Sequence, residues 1–528
     1  MQVKMSNEHS PLLKDSECQK PKSQGITKIL AGLVGVFLAS ADKYVLLTTQ
    51  NRIAISLQSP SSASLLLVSY NLGFCVALPV YGFLSERYGS RKFLLAAYAL
   101  FSVGCAVSGA VDSLWPFVFG RFLAGVGGSG MTDLLSVLIN GGPFLIILKK
   151  RELELIFSQE VYDISEVATV RSYIIAAEIF AQGCGGPLGG LIADSIGWRW
   201  ALLGQTPIGF LCLILAYWQL PQDSKRRVAE PGLGLWSFDF LGLGAFLISA
   251  TSFVLGTTDG SPTLDSNKSA LFTISAIFFG ILIVIEKVSP RPMIPPSVVA
   301  APGLRHIFLG QFTFFIFVST FLNNLPTYLS QVDSLNSSQI ALRIWPSCVG
   351  LVIGTMIAGK FLRTTIKYRK LSLIGMGIAV ASLILMVIRW NDGIQGVEVY
   401  YGFPMSVGCG IFLSAQFLAL TVRSSENIAS ATAIYCLVQQ IGQIVGTSGS
   451  TAALRQLFRF RLGANLDGTI PSEKTKIIHE ILKNYGSIAK LPEVLQEVVQ
   501  LSYIEAFRLV PALSTTLTII TGILVSFT

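Results

Sequence analysis

Charged side chains stand inside long apolar runs of this chain: Asp42, followed by Lys43, in Phe37-Leu-Ala-Ser-Ala-Asp-Lys-Tyr-Val45, Arg121 in Gly120-Arg-Phe-Leu-Ala-Gly-Val-Gly-Gly-Ser-Gly130, Asp133 further along the same run, and Glu178 in another. A charge at the centre of a lipid-spanning helix costs roughly 2.5–3.5 kcal/mol on insertion scales, so such a residue needs a partner or a wet cavity. A carboxyl held out of water can load and release a proton, which makes Asp42 a candidate proton carrier. Its alternative role is structural, as partner of Lys43 or Arg121; Lys43 follows it directly, and adjacent helical residues do not share a face. Arg121 either meets a partner in the interior or snorkels to an interface from its place near the start of its run. Asp133 and Glu178 are second proton sites or line a vestibule. Other chemistries find no support. There is no metal-binding H-E-x-x-H and no nucleophile elbow, and the three histidines form no clear intramembrane catalytic pair. The eight cysteines have neither metal-ligand spacing nor a disulfide framework. The G-x-G-x-x-G within Gly125–Gly130 has no preceding strand or βαβ unit, so a dinucleotide site is set aside. The expectation is a protein that is not an enzyme and carries no cofactor or metal.

The elements that must position these residues follow from composition. The 528 residues are 52% hydrophobic and 13% charged, against about 25% charged in a soluble domain. Fourteen apolar segments fall at 28–48, 64–84, 93–111, 114–139, 170–193, 200–220, 238–256, 270–288, 307–329, 340–361, 371–388, 397–422, 429–453 and 509–527. Each is long enough to cross a bilayer as a helix. Connections after even-numbered segments hold Arg87, Arg91 and Lys92, then Lys149, Lys150 and Arg151, then Lys225, Arg226 and Arg227, then Lys287 and Arg291, then Arg363, Lys367, Arg369 and Lys370. Short connections after odd-numbered segments offer little beyond Arg52, Arg199 and Lys268. Basic residues collect on cytoplasmic loops, so both termini are expected in the cytoplasm. The net charge of +9 therefore reports topology, and no nucleic-acid partner is implied.

Three motifs sharpen the class. Tyr81-Gly-Phe-Leu-Ser-Glu-Arg-Tyr-Gly-Ser-Arg-Lys92, with Gly82, Glu86, Arg87, Gly89, Arg91 and Lys92, resembles the loop signature of the major facilitator superfamily, Glu86 replacing the commoner Asp. Arg121 with Gly125 and Gly127 looks like the family's R-x-x-x-G-x-G, whose arginine is associated with proton transfer. Gly183-Cys-Gly-Gly-Pro-Leu-Gly-Gly190, containing Gly185, Gly186, Pro187, Gly189 and Gly190 and followed by Gly197-Trp-Arg-Trp200, is similar to the antiporter signature of proton-coupled drug exporters. Asp42 resembles in placement the first-helix acid of fourteen-helix exporters, although its neighbours depart from that motif. The resemblance implies an all-α membrane fold of two six-helix halves plus two linker helices, rocking about a central site. It divides the chain into a tail (1–27), an N-terminal half (28–220), a linker (221–303) and a C-terminal half (304–528) with a long lumenal loop (454–507). Polar residues suggest the cavity: Tyr70, Asn71, Asn323, Asn324, Tyr328, Gln439, Gln440 and Gln443. Such groups either orient a small-molecule substrate or bind helices to one another.

Two features lie outside this frame. In the tail, Glu8-His-Ser-Pro-Leu12-Leu13 resembles an acidic dileucine signal read by coat adaptors. The 22 residues 141–162 interrupt a brief family-like loop, as a retained intron or a lineage-specific insertion would. Together the motifs look most like the fungal drug:proton antiporter branch, and within it vacuolar basic amino acid transporters. The expected function is proton-coupled exchange of basic amino acids across the vacuolar membrane. The alternatives are a plasma-membrane toxin exporter and a non-transporting nutrient sensor.

Overall fold

A computed structural model describes residues 24–59, 62–140, 164–219, 239–258, 267–289, 292–333, 335–364, 367–390, 394, 396–424, 428–466, 478, 481 and 493–527. The dileucine residues Glu8, Leu12 and Leu13 and the 141–162 stretch lie outside them. Within them the chain forms fourteen long helices: α1 Gln24–Ser56, α2 Ala63–Tyr88, α3 Ser90–Ala110, α4 Leu114–Asn140, α5 Ile164–Ile192, α6 Gln205–Gln219, α7 Phe240–Thr257, α8 Lys268–Val288, α9 Leu304–Gln331, α10 Ser337–Thr364, α11 Tyr368–Arg389, α12 Gly402–Arg423, α13 Ile428–Leu466 and α14 Leu509–Ser526. Helices are what these apolar runs must form in lipid, because every backbone N–H and C=O is then satisfied within its own segment. Eleven segments are long and apolar enough to cross a membrane, α5 and α6 falling together in Phe180–Gln219. α4 and α13 lie in the same bundle and complete the fourteen.

Glycines set how closely these helices cross. A Cβ on Gly125 of α4 would lie 2.0 Å from the Tyr70 carbonyl oxygen of α2, and one on Gly354 of α10 would lie 2.1 Å from the Val407 carbonyl of α12. Backbones therefore touch at both crossings, the packing that replaces hydrophobic burial inside a membrane. α4 packs on α2 and α3, and α12 packs on α10 and α11, so the second group of six helices repeats the arrangement of the first. α7 and α8 are tied by reciprocal bonds in which Ser249 and Ser275 each donate to the other's carbonyl at 2.9 Å. α7 also joins α2 and α13 in an apolar cluster through Ala245, Phe246 and Val254. α8 leaves Ile277, Phe279, Val284 and Val288 exposed, a surface suited to lipid.

The helices alternate in direction, so the starts of α1, α3 and α9 and the end of α14 share one end of the molecule, called here the termini end. There Arg369 donates to the Ser526 carbonyl, and the His306 and Phe527 rings lie 5.9 Å apart. At the far end the structure departs from the sequence expectation. The expected thirteenth segment stops at 453, but α13 continues to Leu466 and a further helix spans Glu493–Phe507. At 39 residues α13 is roughly 58 Å long, well beyond the hydrocarbon thickness. Its extension is amphipathic: Leu454, Phe458, Leu462 and Leu466 are buried with Val499, Tyr503 and Phe507 of the following helix, while Arg455, Arg459 and Arg461 fall between them. Ile481 is buried in the same cluster and Ile478 packs against it, so both belong to the packed far-end cap.

Candidate functional site

At the centre of the first six helices, Asp42 of α1 and Arg121 of α4 form a two-pronged ion pair. Nη1 donates to Oδ1 at 3.0 Å and Nη2 to Oδ2 at 2.6 Å, and both side chains are 0% exposed. Arg121 therefore does not snorkel. Two parallel charge-assisted bonds fix the geometry as well as the charge balance. Gln205, in the first turn of α6, donates from Nε2 to Asp42 Oδ1 at 3.0 Å. The Tyr70 ring lies 4.9 Å from the guanidinium carbon, a cation–π contact, and its hydroxyl donates to the Ala39 carbonyl at 3.1 Å. Helices α1, α2, α4 and α6 thus converge on one ion pair. A Cβ on Gly128 would lie 2.2 Å from the Tyr70 hydroxyl, so this glycine is what lets the ring sit over the arginine.

The geometry is that of the structural alternative, Asp42 as the partner of Arg121, and it also fixes what a proton would do there. Protonating Asp42 would remove the charge that compensates a fully buried guanidinium, and a buried pair broken in this way is strongly destabilised. Arg121 would then need another acceptor, and a change in how α1 meets α4 is one way to reach it.

The glycine–proline run of α5 is a docking face. Cβ atoms on Gly185 and Gly189 would meet Ala41 and Val45 of α1 at 2.7 and 2.8 Å. A Cβ on Gly190 would meet Ser337 at 2.7 Å, and one on Gly186 would approach Thr48 of α1 at 3.3 Å and Ala341 of α10 at 3.9 Å. Pro187 lies inside the helix and offers no N–H. Immediately beyond, a π-helical turn at Ala193–Gly197 presents Asp194, which accepts from Arg52 Nη1 at 2.5 Å and from the Ser338 backbone N–H at 2.8 Å, as well as from the Ser338 hydroxyl. This joins the two six-helix groups at the far end. Gln50 donates to Asn323 Oδ1 at 3.3 Å and Thr327 donates to Asn51 Oδ1 at 3.4 Å at the same level. Nearer the middle, the Lys43 ammonium donates to Gln443 Oε1, crossing from α1 to α13. Asp333, on the loop after α9, accepts from Arg343 at 2.6 Å; burial lifts its carboxyl above the ordinary range and Arg343 pulls it back.

The remaining sequence candidates separate. Asn323 donates to Thr451 at 2.9 Å and Asn324 to Ser450 at 2.8 Å, so both bind α9 to α13. Tyr328 is not a cavity residue: its ring lies 4.3 Å from Phe507 in the far-end cap, and its hydroxyl accepts from the Ile394 N–H at 3.2 Å. Gln439 accepts from Gln311 of α9 at 3.5 Å. Asn71 and Gln440 are buried, and Oδ1 and Oε1 have no hydrogen-bond partner among the described residues. In the loop motif, Gly89 has φ +90° and makes the turn, and Arg91 donates to the Tyr217 carbonyl at 2.5 Å, tying α3 to the end of α6. Gly82 has open space around it, so close helix approach is not its role. Lys92 is exposed, and the side chains of Glu86 and Arg87 lie outside the described residues. Asp133 accepts from Ser129 of its own helix at 3.0 Å. The sequence reading missed Gln205, the Lys43–Gln443 bridge and the Asp194 latch. Asp194 could have been found, since an acid directly after a helix-packing glycine run stands at a helix end facing the next element.

The family model of the Major Facilitator Superfamily matches residues 32–141 and 156–447, and the chain belongs to that superfamily. The unmatched gap falls inside the interrupting stretch 141–162. The chain is 25% identical over 519 residues to the multidrug resistance protein fnx1 of Schizosaccharomyces pombe, covering 96% of this chain and 93% of that protein. It is 25% identical over 454 residues to vacuolar basic amino acid transporter 2 of Saccharomyces cerevisiae, covering 83% and 92%. A bacterial homologue of the human lysosomal transporter Spinster, solved in an inward-facing, unoccupied conformation, shares the fold with a TM-score of 0.62 at 14% identity, over 96% of this chain and 97% of that one. The protein is a multi-pass membrane transporter of this superfamily.

Proposed function

We propose that this transporter exchanges protons for basic amino acids across the vacuolar membrane, loading the lumen, with both termini in the cytoplasm. The observation that carries the reading is the sealed Asp42–Arg121 pair: a carboxylate with one buried cationic partner is a site at which a single proton changes the packing of two helices. The glycine run of α5 supports the exchange mode, since it packs α1, the helix that bears Asp42, closely enough for movement of one to be felt by the other. Similarity to a vacuolar basic amino acid transporter supports the substrate class and the membrane. Two groups of six helices with repeated packing, with α7 and α8 as an inserted pair, support the division into halves at 28–220 and 304–528. The basic residues at the termini end support its cytoplasmic placement. Similarity to fnx1 favours a second reading, export of toxic compounds at the plasma membrane.

Vesicles with an acid lumen separate the two readings. Labelled lysine or arginine should enter against its gradient and stop entering when the pH gradient is collapsed; uptake indifferent to the gradient rejects proton exchange, and accumulation of hydrophobic cations alone favours the exporter. Replacing Leu12 and Leu13 by Ala should move a tagged protein off the vacuolar membrane through loss of the coat-adaptor signal. Unchanged residence would remove the sorting role.

A further inference from the structure

We propose that Lys43 is the anchor for a substrate carboxylate in the central cleft, so that the transported ligand must carry an anionic group whatever its side chain. Asp42 and Arg121 neutralise each other completely. Lys43, the next residue, projects from a different face of α1, is half-buried, and reaches across to α13. Its hydrogen-bond partner among the described residues is the neutral amide oxygen of Gln443, and no carboxylate there forms an ion pair with it. Among the described residues the Lys43 ammonium therefore has a neutral partner only, at a depth where an uncompensated charge is costly. A ligand carboxylate would supply the missing counter-charge and exchange a neutral acceptor for a charge-assisted one. A second observation points the same way. Gln440 lies three residues from Gln443 on the same face of α13, is 6% exposed, and has an Oε1 with no donor. A buried acceptor one helical turn from the residue that holds the ammonium fits a zwitterion, with the carboxylate on Lys43 and the ammonium near Gln440. Binding would also take Lys43 from Gln443 and release a link between the two groups of six helices, which gives occupancy a means of unlocking the cleft.

The inference rests on the transporter reading but not on lysine being the cargo. The test is thermal stabilisation of the purified full chain by lysine, by cadaverine (the same molecule without its carboxylate), by lysine methyl ester and by a series of neutral amino acids and monocarboxylates. Wild type should be stabilised only by ligands that keep a free carboxylate. Lys43→Gln should raise the concentration needed by about tenfold or more, and Lys43→Arg should largely restore it. Stabilisation by a carboxylate other than lysine, lost in Lys43→Gln, upholds the anchor while removing basic amino acids as substrate. Equal stabilisation by lysine and cadaverine, or a carboxylate response unchanged in a folded Lys43→Gln protein, overturns it.

Discussion

Asp42 illustrates how little of a buried charge's role can be read from its neighbours in sequence. Its adjacent lysine is turned away from it and its partner is 79 residues along the chain, on a helix that only glycine-mediated packing brings close. The residue types, an acid and a base in apolar runs, were legible because lipid makes them expensive. Their pairing was legible only as one of two alternatives, Lys43 or Arg121, because the choice depends on helix rotation that apolar runs do not encode. Replacing Asp42 by Asn should leave Arg121 buried without a counter-charge and lower stability by about 3–5 kcal/mol. Removing both charges in Asp42→Asn/Arg121→Leu should recover part of that loss in thermal unfolding. A double variant less stable than Asp42→Asn alone would contradict the pairing account. For Tyr328 and Asn324 the sequence leaves two roles open, cavity group or helix-binding group, and the contacts they make are of the second kind, to the far-end cap and to α13.

The helices were legible throughout as to existence and number, because a bilayer demands uninterrupted apolar runs of fixed length. Their ends were less so. The extension of α13 reads as a basic loop when Arg455, Arg459 and Arg461 are counted, and as a helix once Leu454, Phe458, Leu462 and Leu466 are seen at spacings of four. At this scale the glycine run makes a discriminating prediction. Gly189→Leu should wedge α5 from α1, lowering stability and abolishing transport, because even its Cβ has no room beside Val45. Gly82→Ala should leave stability within about 0.5 kcal/mol of wild type or raise it slightly, since nothing surrounds that position and alanine favours a helix. A tolerated Gly189→Leu would show that α1 and α5 do not pack in the working protein.

Across the whole molecule, the named bonds between the two six-helix groups lie at the middle and the far end: Lys43 to Gln443, Gln50 to Asn323, Thr327 to Asn51 and Ser338 to Asp194. Among the described residues, these bonds hold the two groups together at the far end. Asp194, shared between Arg52 of one group and Ser338 of the other, is a latch on that contact, and the π-helical turn that carries it is a place where a helix readily changes register. Asp194→Asn should shift the population toward far-end opening. Cysteine probes near Thr48 should then react faster with impermeant reagents from the far side, and an unchanged rate would remove the latch.

The central claim is that Asp42 carries the proton that is exchanged for substrate. Proteoliposomes reconstituted with wild type and with Asp42→Asn test it most directly by comparing two modes in one preparation: uptake driven by an imposed pH gradient, and exchange of labelled for unlabelled substrate with no gradient. Asp42→Asn is predicted to lose the first while retaining the second. Gradient-driven uptake that survives in Asp42→Asn would place the coupling proton elsewhere and contradict the account.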